Sequence, residues 1–193
     1  INTWKPDIER INKLSKLPRD RFNLERDHGP VRYMIRHPWL NNDGSLVFKA
    51  QGKGAPLVKI DKCSNIVWVL DFPFHHSIER DHEKNYWVPM HFHPKKVTAG
   101  FDEAAGLSLQ YFMDDGIMKI SDNGKVLFQK SIMQMFIEND LGHLIFPGHA
   151  EIAYDPIHVN DIQPVKTDGL YYKKGDVFLS LRNLSMIVLY RPD

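Results

Sequence analysis

Short apolar runs separated by polar turns fill most of this chain, and one such pattern occurs twice. Segment 57–68 returns at 117–128, and each copy has an apolar strand containing Lys-Ile, a polar turn and a second strand ending in an aromatic residue. A third copy begins at Ile187. Repetition on this scale is typical of architectures in which each unit buries its apolar face against its neighbours.

Further elements are predicted by the same signals. Apolar residues at three-to-four spacing after Pro6 predict a short amphipathic helix over 7–14, and Ser131 is expected to cap a second helix over 132–137. Period-two alternation or short apolar runs bounded by turn residues predict the strands. Outside the second copy of the repeat, they cover 45–49, 57–60, 65–69, 76–79, 85–89, 158–162, 176–181 and 186–190.

Four short strands per unit favour a β-propeller blade over a β-sandwich or barrel, which remain alternatives. The unit exceeds the roughly 40–50 residues of common blades, and insertions at 91–109 and 131–154 account for the excess. We therefore predict an all-β chain with about two complete four-stranded blades, part of a third and a short N-terminal helix. Residues 1–42 would form a helical or extended lead-in, and 43–193 the blades of an incomplete ring.

Composition narrows the possible partners. Hydrophobic content of 42% and charged content of 25% are ordinary for a soluble globular protein. A formal net charge of +1 with scattered basic residues gives no reason to expect a nucleic-acid partner. No apolar stretch approaches the roughly 20 residues of a membrane span. The single cysteine, Cys63, excludes an internal disulfide and leaves the compartment open.

Ten histidines are a mild excess, and two of them fall at related places. Aligning Ile78 with Ile162 puts His76, His158 and Asn160 in the same phase at the start of the first strand of their units. The first strand of a propeller blade lines the central channel, so these side chains are expected to converge. The alternative is that they are structural residues bonded to a neighbouring blade.

Arg182 and Asn183 follow the second strand of the third unit, close to one mouth of the predicted channel. A guanidinium binds two oxygens of an anion at once and keeps its charge. Together with the imidazoles, it predicts a pocket for a tetrahedral oxyanion.

A second histidine cluster competes with this pocket. His91 and His93 form a His-x-His pair that would suit a metal, but Glu103 lacks the spacing of a cupin site, so a surface loop is favoured over a metal site. Asp114 and Asp115 are adjacent and are expected to serve a turn. We expect no cofactor.

Longer motifs resemble the bacterial arylsulfotransferases that use no nucleotide sulfate donor. They are Phe-His-His-Ser-Ile-Glu at 74–79, Asn-Tyr-Trp-Val-Pro at 85–89, Asp-Pro-Ile-His-Val-Asn-Asp-Ile-Gln-Pro at 155–164 and Lys-Gly-Asp-Val-Phe-Leu-Ser-Leu-Arg-Asn at 174–183. The resemblance covers about residues 43–193. It implies a six-bladed β-propeller and a periplasmic or secreted location.

The resemblance also implies an activity, the transfer of a sulfuryl group from a phenolic sulfate ester to a phenol through a sulfated histidine. His76, His158 and Arg182 would hold the sulfate and assist the leaving phenolate, with His75, Asn160 and Asn183 as substrate-binding neighbours.

The family's nucleophilic histidine lies downstream of the Ser-Leu-Arg-Asn segment, and no histidine follows His158 here. We therefore expect a fragment whose remaining blades come from the same parent chain or from a partner, and the alternative is a shortened relative that has lost the nucleophile. A propeller-type binding module without chemistry is the alternative function, and a metal-dependent protein using His91 and His93 is a third.

Overall fold

A computed structural model describes residues 2–17, 33–50, 54–92, 113–145 and 155–192. Within these ranges the chain is mostly β, with eleven strands in two antiparallel sheets, two α-helices and one 3-10 helix. The prediction of an all-β chain with a short N-terminal helix is confirmed.

The larger sheet contains eight strands and the smaller sheet three. The strands are β1 (Ile35–Leu40), β2 (Leu46–Ala50), β3 (Ala55–Ile60), β4 (Ile66–Phe74), β5 (Glu79–Arg80), β6 (Tyr86–His91), β7 (Asp115–Ile120), β8 (Val126–Ser131), β9 (Val159–Pro164), β10 (Val177–Leu181) and β11 (Met186–Tyr190). The helices are α1 (Ile8–Leu14), α2 (Ile132–Glu138) and the 3-10 helix Gly142–Leu144.

The larger sheet has the order β1-β2-β3-β4-β6-β7-β8, with β5 paired to β6, and the smaller has the order β11-β10-β9. Strands β4 and β6 join through one ladder pair, Phe74 with Met90. The strands of the first two predicted units therefore belong to one sheet built from two meanders. Whether the units are propeller blades remains a prediction.

The two copies of the repeated sequence form hairpins with matching register. Lys59 pairs with Trp68 in the first hairpin, and Lys119 pairs with Phe128 in the second. Both ladders shift register at the next residue towards the turn. The shared pattern of apolar residues is thus expressed as the same local geometry.

Four connections of the larger sheet share one five-residue turn, at 41–45, 61–65, 81–85 and 121–125. In each turn, the amide of the first residue donates a hydrogen bond to the carbonyl of the fifth, and the amide of the fourth residue donates one to the carbonyl of the first. The fourth residue adopts a left-handed conformation, at Gly44 (φ 81°), Ser64 (φ 69°), Lys84 (φ 67°) and Gly124 (φ 84°). Glycine adopts this conformation without steric cost.

Both predicted helices form, and each begins directly after an N-cap residue whose side chain accepts a backbone hydrogen bond. The Asp7 carboxylate accepts a hydrogen bond from the Arg10 amide (3.0 Å), and the Ser131 hydroxyl accepts one from the Gln134 amide (3.2 Å). These side chains satisfy amides that have no partner inside the helix. Helix α2 then buries Ile132 and Phe136 in the core beneath the smaller sheet.

Two elements differ from the sequence prediction. Strand β1 lies in the predicted lead-in, where Pro38 lacks an amide and the register shifts between Arg36 and Trp39. Strand β5 is only two residues long because His76, in the predicted strand 76–79, has a left-handed backbone (φ 52°).

Two side-chain bonds tie the sheets together. The Ser77 hydroxyl accepts a hydrogen bond from the Ile162 amide (3.1 Å), and the Asp115 carboxylate accepts one from the Val159 amide (2.9 Å). Both amides belong to β9. The start of β9 is therefore held against the segments that enter β5 and β7.

Candidate functional site

The rings of His76 and His158 lie edge to face, with their centroids 4.9 Å apart and their planes at 79°. His76 lies between β4 and β5, and His158 directly precedes β9. Both backbones are left-handed, with φ of 52°. The structure therefore brings together the two histidines that the alignment of Ile78 with Ile162 had put in the same phase.

His75 lies behind His76 and is buried, with 3% of its surface exposed. Its Nδ1 is 2.8 Å from Nδ1 of His76. When both rings are neutral, this bond holds one proton, so one ring donates and the other accepts. The tautomer of His76 thus depends on which nitrogen of His75 carries the proton.

His91 and Asp115 complete the buried layer. His91 stacks on His75 at 4.1 Å between centroids, with the planes at 21°. Asp115 Oδ1 is 2.7 Å from His91 Nδ1 and 3.3 Å from His75 Nε2. We refer to His75, His91 and Asp115 as the buried triad.

The expected surface loop at His91 and turn at Asp115 are both wrong. His91 is the last residue of β6 and Asp115 the first of β7, and the two residues pair across the ladder. Cross-strand neighbours on one face have Cβ atoms about 5 Å apart, so the pairing brings imidazole and carboxylate together. Exposure is 8% for His91 and 0% for Asp115.

Burial controls the charge of these groups. It lowers the pKa of His75 to about 3, with the nearby His91 acting in the same direction. Burial, together with His158 and Lys49, lowers the pKa of His76 to about 4. Both imidazoles are therefore neutral at pH 7. Burial alone would raise the pKa of Asp115, but the facing nitrogens of His75 and His91 outweigh it and keep the carboxyl ionised.

Lys49 is a cation in the same neighbourhood. The residue lies on β2 with 2% of its surface exposed, and burial followed by the charge of Arg36 lowers its pKa to about 8. Its charge also disfavours protonation of His76. A buried ammonium near the neutral imidazole of His76 favours anions in this region.

His158 is held from the other side. Its Nδ1 contacts the Asp155 carboxylate, and its carbonyl accepts a hydrogen bond from the Arg182 amide (3.0 Å). The exposed Arg182 side chain donates from Nε to Asn183 Oδ1 (3.0 Å), and the Asn183 side-chain amide donates to the Asp155 carbonyl. These bonds fix the turn after β10 beside His158.

The other predicted positions are less closely tied to the pair. Asn160 lies on β9 and is half-buried. His93 and Glu103 lie outside the described residues. Cys63 is exposed in the turn after β3.

Sequence reasoning missed three residues that this geometry includes. Lys49 could have been noticed as a lysine inside the apolar run of β2, and Asp155 stands three residues before His158. Asp115 gave no comparable signal, because its contacts depend on the register between β6 and β7.

A family model for arylsulfotransferase (ASST) matches residues 37–193. This range is most of the chain and contains His76 and His158, which we call the central pair, as well as Arg182. The chain belongs to the arylsulfotransferase (ASST) family. The resemblance found in the sequence motifs is thereby confirmed at the level of the family.

A comparison with curated proteins found no match to this ASST-family chain. Among the described residues, no helix has the length and apolar character that crossing a membrane would require.

Proposed function

We propose that this chain contributes to sulfuryl transfer from a phenolic sulfate ester to a phenol, with the sulfate bound beside His76 and His158. The observation that carries the proposal is the contact between these two imidazoles, next to the buried Lys49 and inside the region that the ASST family covers. An imidazole N–H can donate a hydrogen bond to a sulfate oxygen.

In the proposed reaction, each bond that breaks at sulfur is matched by a bond that forms. In the first half, the S–O bond to the phenolate breaks as an N–S bond to a histidine forms. In the second half, the acceptor phenol oxygen attacks sulfur, the N–S bond breaks and the phenol proton passes to a base. The nucleophilic histidine of this scheme is one other than His76 or His158.

The transition state of such a transfer is loose and carries its charge on the peripheral oxygens, by analogy with phosphoryl transfer. Positioning and electrostatic stabilisation therefore dominate catalysis. His76 and His158 would hold the oxygens and assist the leaving phenolate. Arg182 would add a fixed positive charge from the turn after β10, and His75, Asn160 and Asn183 would support the bound substrate.

We further propose that the strand units are blades of a six-bladed propeller. Support comes from the matching register of the repeated hairpins and from the meander connections in both sheets. In this arrangement His76 and His158 would face the central channel from successive blades. Further blades would complete the ring.

The proposal is tested with the protein made from its full reading frame, using para-nitrophenyl sulfate as donor and phenol as acceptor. Nitrophenolate release that depends on phenol identifies transfer and separates it from hydrolysis. We expect the double variant His158→Ala, Arg182→Ala to lose about 100-fold or more in turnover. His143→Ala, an exposed histidine of the 3-10 helix, is the matched control.

Two results would contradict the proposed roles. One is phenol-dependent release that the double variant leaves unchanged. The other is the absence of turnover combined with specific binding of the aryl sulfate, which would identify a binding module without chemistry.

A further inference from the structure

We propose that the buried triad of His75, His91 and Asp115 is a binding site for a divalent transition-metal cation such as Zn²⁺. This inference does not depend on sulfuryl transfer. It goes beyond the proposed function because none of the roles above requires a metal.

The first argument is convergence. His75 Nε2, His91 Nδ1 and Asp115 Oδ1 all lie within 4.8 Å of one another. Two imidazole nitrogens and one carboxylate oxygen form a donor set that Zn²⁺ and other first-row divalent cations bind. The residues come from three places in the chain, so the convergence is a product of the fold.

The second argument is that these three atoms lack hydrogen bonds. They are buried, and although Asp115 Oδ1 lies 2.7 Å from His91 Nδ1 and 3.3 Å from His75 Nε2, neither contact has the angles of a hydrogen bond. A buried polar atom without a hydrogen-bond partner destabilises the folded chain, and a charged one does so more strongly. One cation would satisfy all three atoms at once.

The third argument concerns charge. A divalent cation binds carboxylates and neutral imidazoles, so the carboxyl group of Asp115 would offset part of the charge of the cation. Asp115 Oδ2 is occupied by the Val159 amide (2.9 Å), which fixes the carboxylate and leaves Oδ1 facing the imidazoles. Such outer bonds orient the ligands of metal sites.

Loading would require a small adjustment. Metal–ligand bonds of about 2.1 Å hold neighbouring ligand atoms roughly 3–3.5 Å apart. His75 Nε2 and Asp115 Oδ1, at 3.3 Å, already meet this separation. His91 Nδ1 and Asp115 Oδ1, at 2.7 Å, would move apart by a few tenths of an ångström.

The site would also control the central pair. A cation on His75 Nε2 leaves the proton of that ring on Nδ1, which then donates to His76 Nδ1 across the 2.8 Å contact. His76 would consequently carry its own proton on Nε2. Metal occupancy therefore sets whether His76 offers a proton or a lone pair at Nε2.

The experiment is a titration of the chelator-treated full chain with Zn²⁺ by calorimetry and with Co²⁺ by visible absorption. We expect one equivalent of Zn²⁺ to bind, and Co²⁺ to give d–d bands of a site with nitrogen and oxygen ligands. His91→Gln and Asp115→Asn should each weaken binding by about 100-fold. His82→Gln, an exposed histidine in the turn after β5, should leave it unchanged.

A measurement on the unsubstituted chain guards against variants that fail to fold. Zn²⁺ should shift the ¹⁵N resonances of His75 Nε2 and His91 Nδ1 and leave those of His82 in place. Failure to bind Zn²⁺ at millimolar concentration would overturn the proposal, and so would binding that shifts only exposed histidines. Sulfuryl transfer can persist in either case, so the two proposals fail separately.

Discussion

Asp155 contacts His158 at Nδ1, whereas the buried Nε2 of the same ring makes no hydrogen bond to any residue that the structure describes. A carboxylate at Nδ1 fixes the ring and favours the tautomer with its proton on that nitrogen. On the opposite side of the pair, His76 has its own Nδ1 engaged by His75. Both imidazoles are therefore oriented through Nδ1, which in the proposed function would leave their Nε2 atoms to the sulfate.

The first prediction concerns this orientation. Asp155→Asn replaces the acceptor with an amide that can donate, so the favoured tautomer of His158 should change. We expect phenol-dependent turnover to fall by about 100-fold or more, with a matching change in the ¹⁵N shifts of His158. Asp140→Asn, at an exposed left-handed position after α2, serves as control (φ 58°). Unchanged shifts in Asp155→Asn would argue against the orienting role.

The second prediction is acid sensitivity caused by His75. Its pKa is about 3 in the folded chain against an ordinary value of 6.5, so between these pH values the unfolded chain binds a proton that the folded chain excludes. The contribution of His75 to the free energy of unfolding is therefore fully present above about pH 6.5 and is lost as the pH falls towards 3. The slope contributed by one such group is at most about 1.4 kcal/mol per pH unit.

Urea unfolding between pH 7 and pH 4 in the presence of chelator measures this slope. We expect His75→Gln to have a shallower dependence than the unsubstituted chain, whatever its stability at pH 7. His82→Gln should keep the original slope because its side chain is exposed. Equal slopes for His75→Gln and the unsubstituted chain would show that other groups cause the acid sensitivity.

The third prediction compares two glycines with left-handed backbones. An added Cβ at Gly124 (φ +84°) would lie 3.0 Å from Cγ of Trp68, whereas one at Gly175 (φ +98°) meets no described atom within 4 Å. Gly175→Ala should cost about 1–2 kcal/mol for the backbone conformation alone. Gly124→Ala should cost about 1–3 kcal/mol more because the indole must move.

The two variants are compared by thermal or urea unfolding. Equal losses would mean that Trp68 moves aside without cost, and the steric part of the argument would then be wrong.

The fourth prediction concerns Asp122, in the turn between β7 and β8. Its carboxylate is 2.7 Å from Nζ of Lys59 on β3, 2.9 Å from Nη2 of Arg80 and 3.0 Å from the Tyr86 hydroxyl. Asp122→Ala leaves the nearly buried Lys59 ammonium without this partner, at a cost of about 1–3 kcal/mol. Unfolding measurements on Asp122→Ala, Lys59→Met and the double variant complete a thermodynamic cycle.

We expect the double variant to be more stable than the sum of the single losses predicts, because the Lys59 ammonium is then not left without its Asp122 partner. Additive losses would indicate that the interaction between Lys59 and Asp122 contributes little to folding.

The sequence predicts the strands where apolar periodicity and turn chemistry agree, as in the repeated hairpin. It fails at β1, because Pro38 interrupts the pattern that normally indicates a strand. It also overextends the strand predicted at 76–79, since the left-handed backbone of His76 has no sequence signal in a non-glycine residue.

Part of the site could be predicted in the same way. The alignment of Ile78 with Ile162 was enough to expect His76 and His158 near each other, because equivalent strand positions meet at a shared face. The buried triad could not be predicted, because His91 and Asp115 are brought together by the register between β6 and β7. The long sequence segment between the two residues gives no indication of that register. His91 was linked to a possible metal site, but with His93 as its expected companion.

The Asp115 carboxylate has two roles. One oxygen accepts the hydrogen bond from the Val159 amide, which links the three-stranded sheet to the eight-stranded one, and the other oxygen faces the imidazoles. Thermodynamic coupling between ligand binding at Asp115 and association of the two sheets is reciprocal. A ligand that binds Asp115 more tightly when the two sheets are associated should stabilise their association. Weakening the contact between the sheets should lower the affinity for that ligand by the same factor.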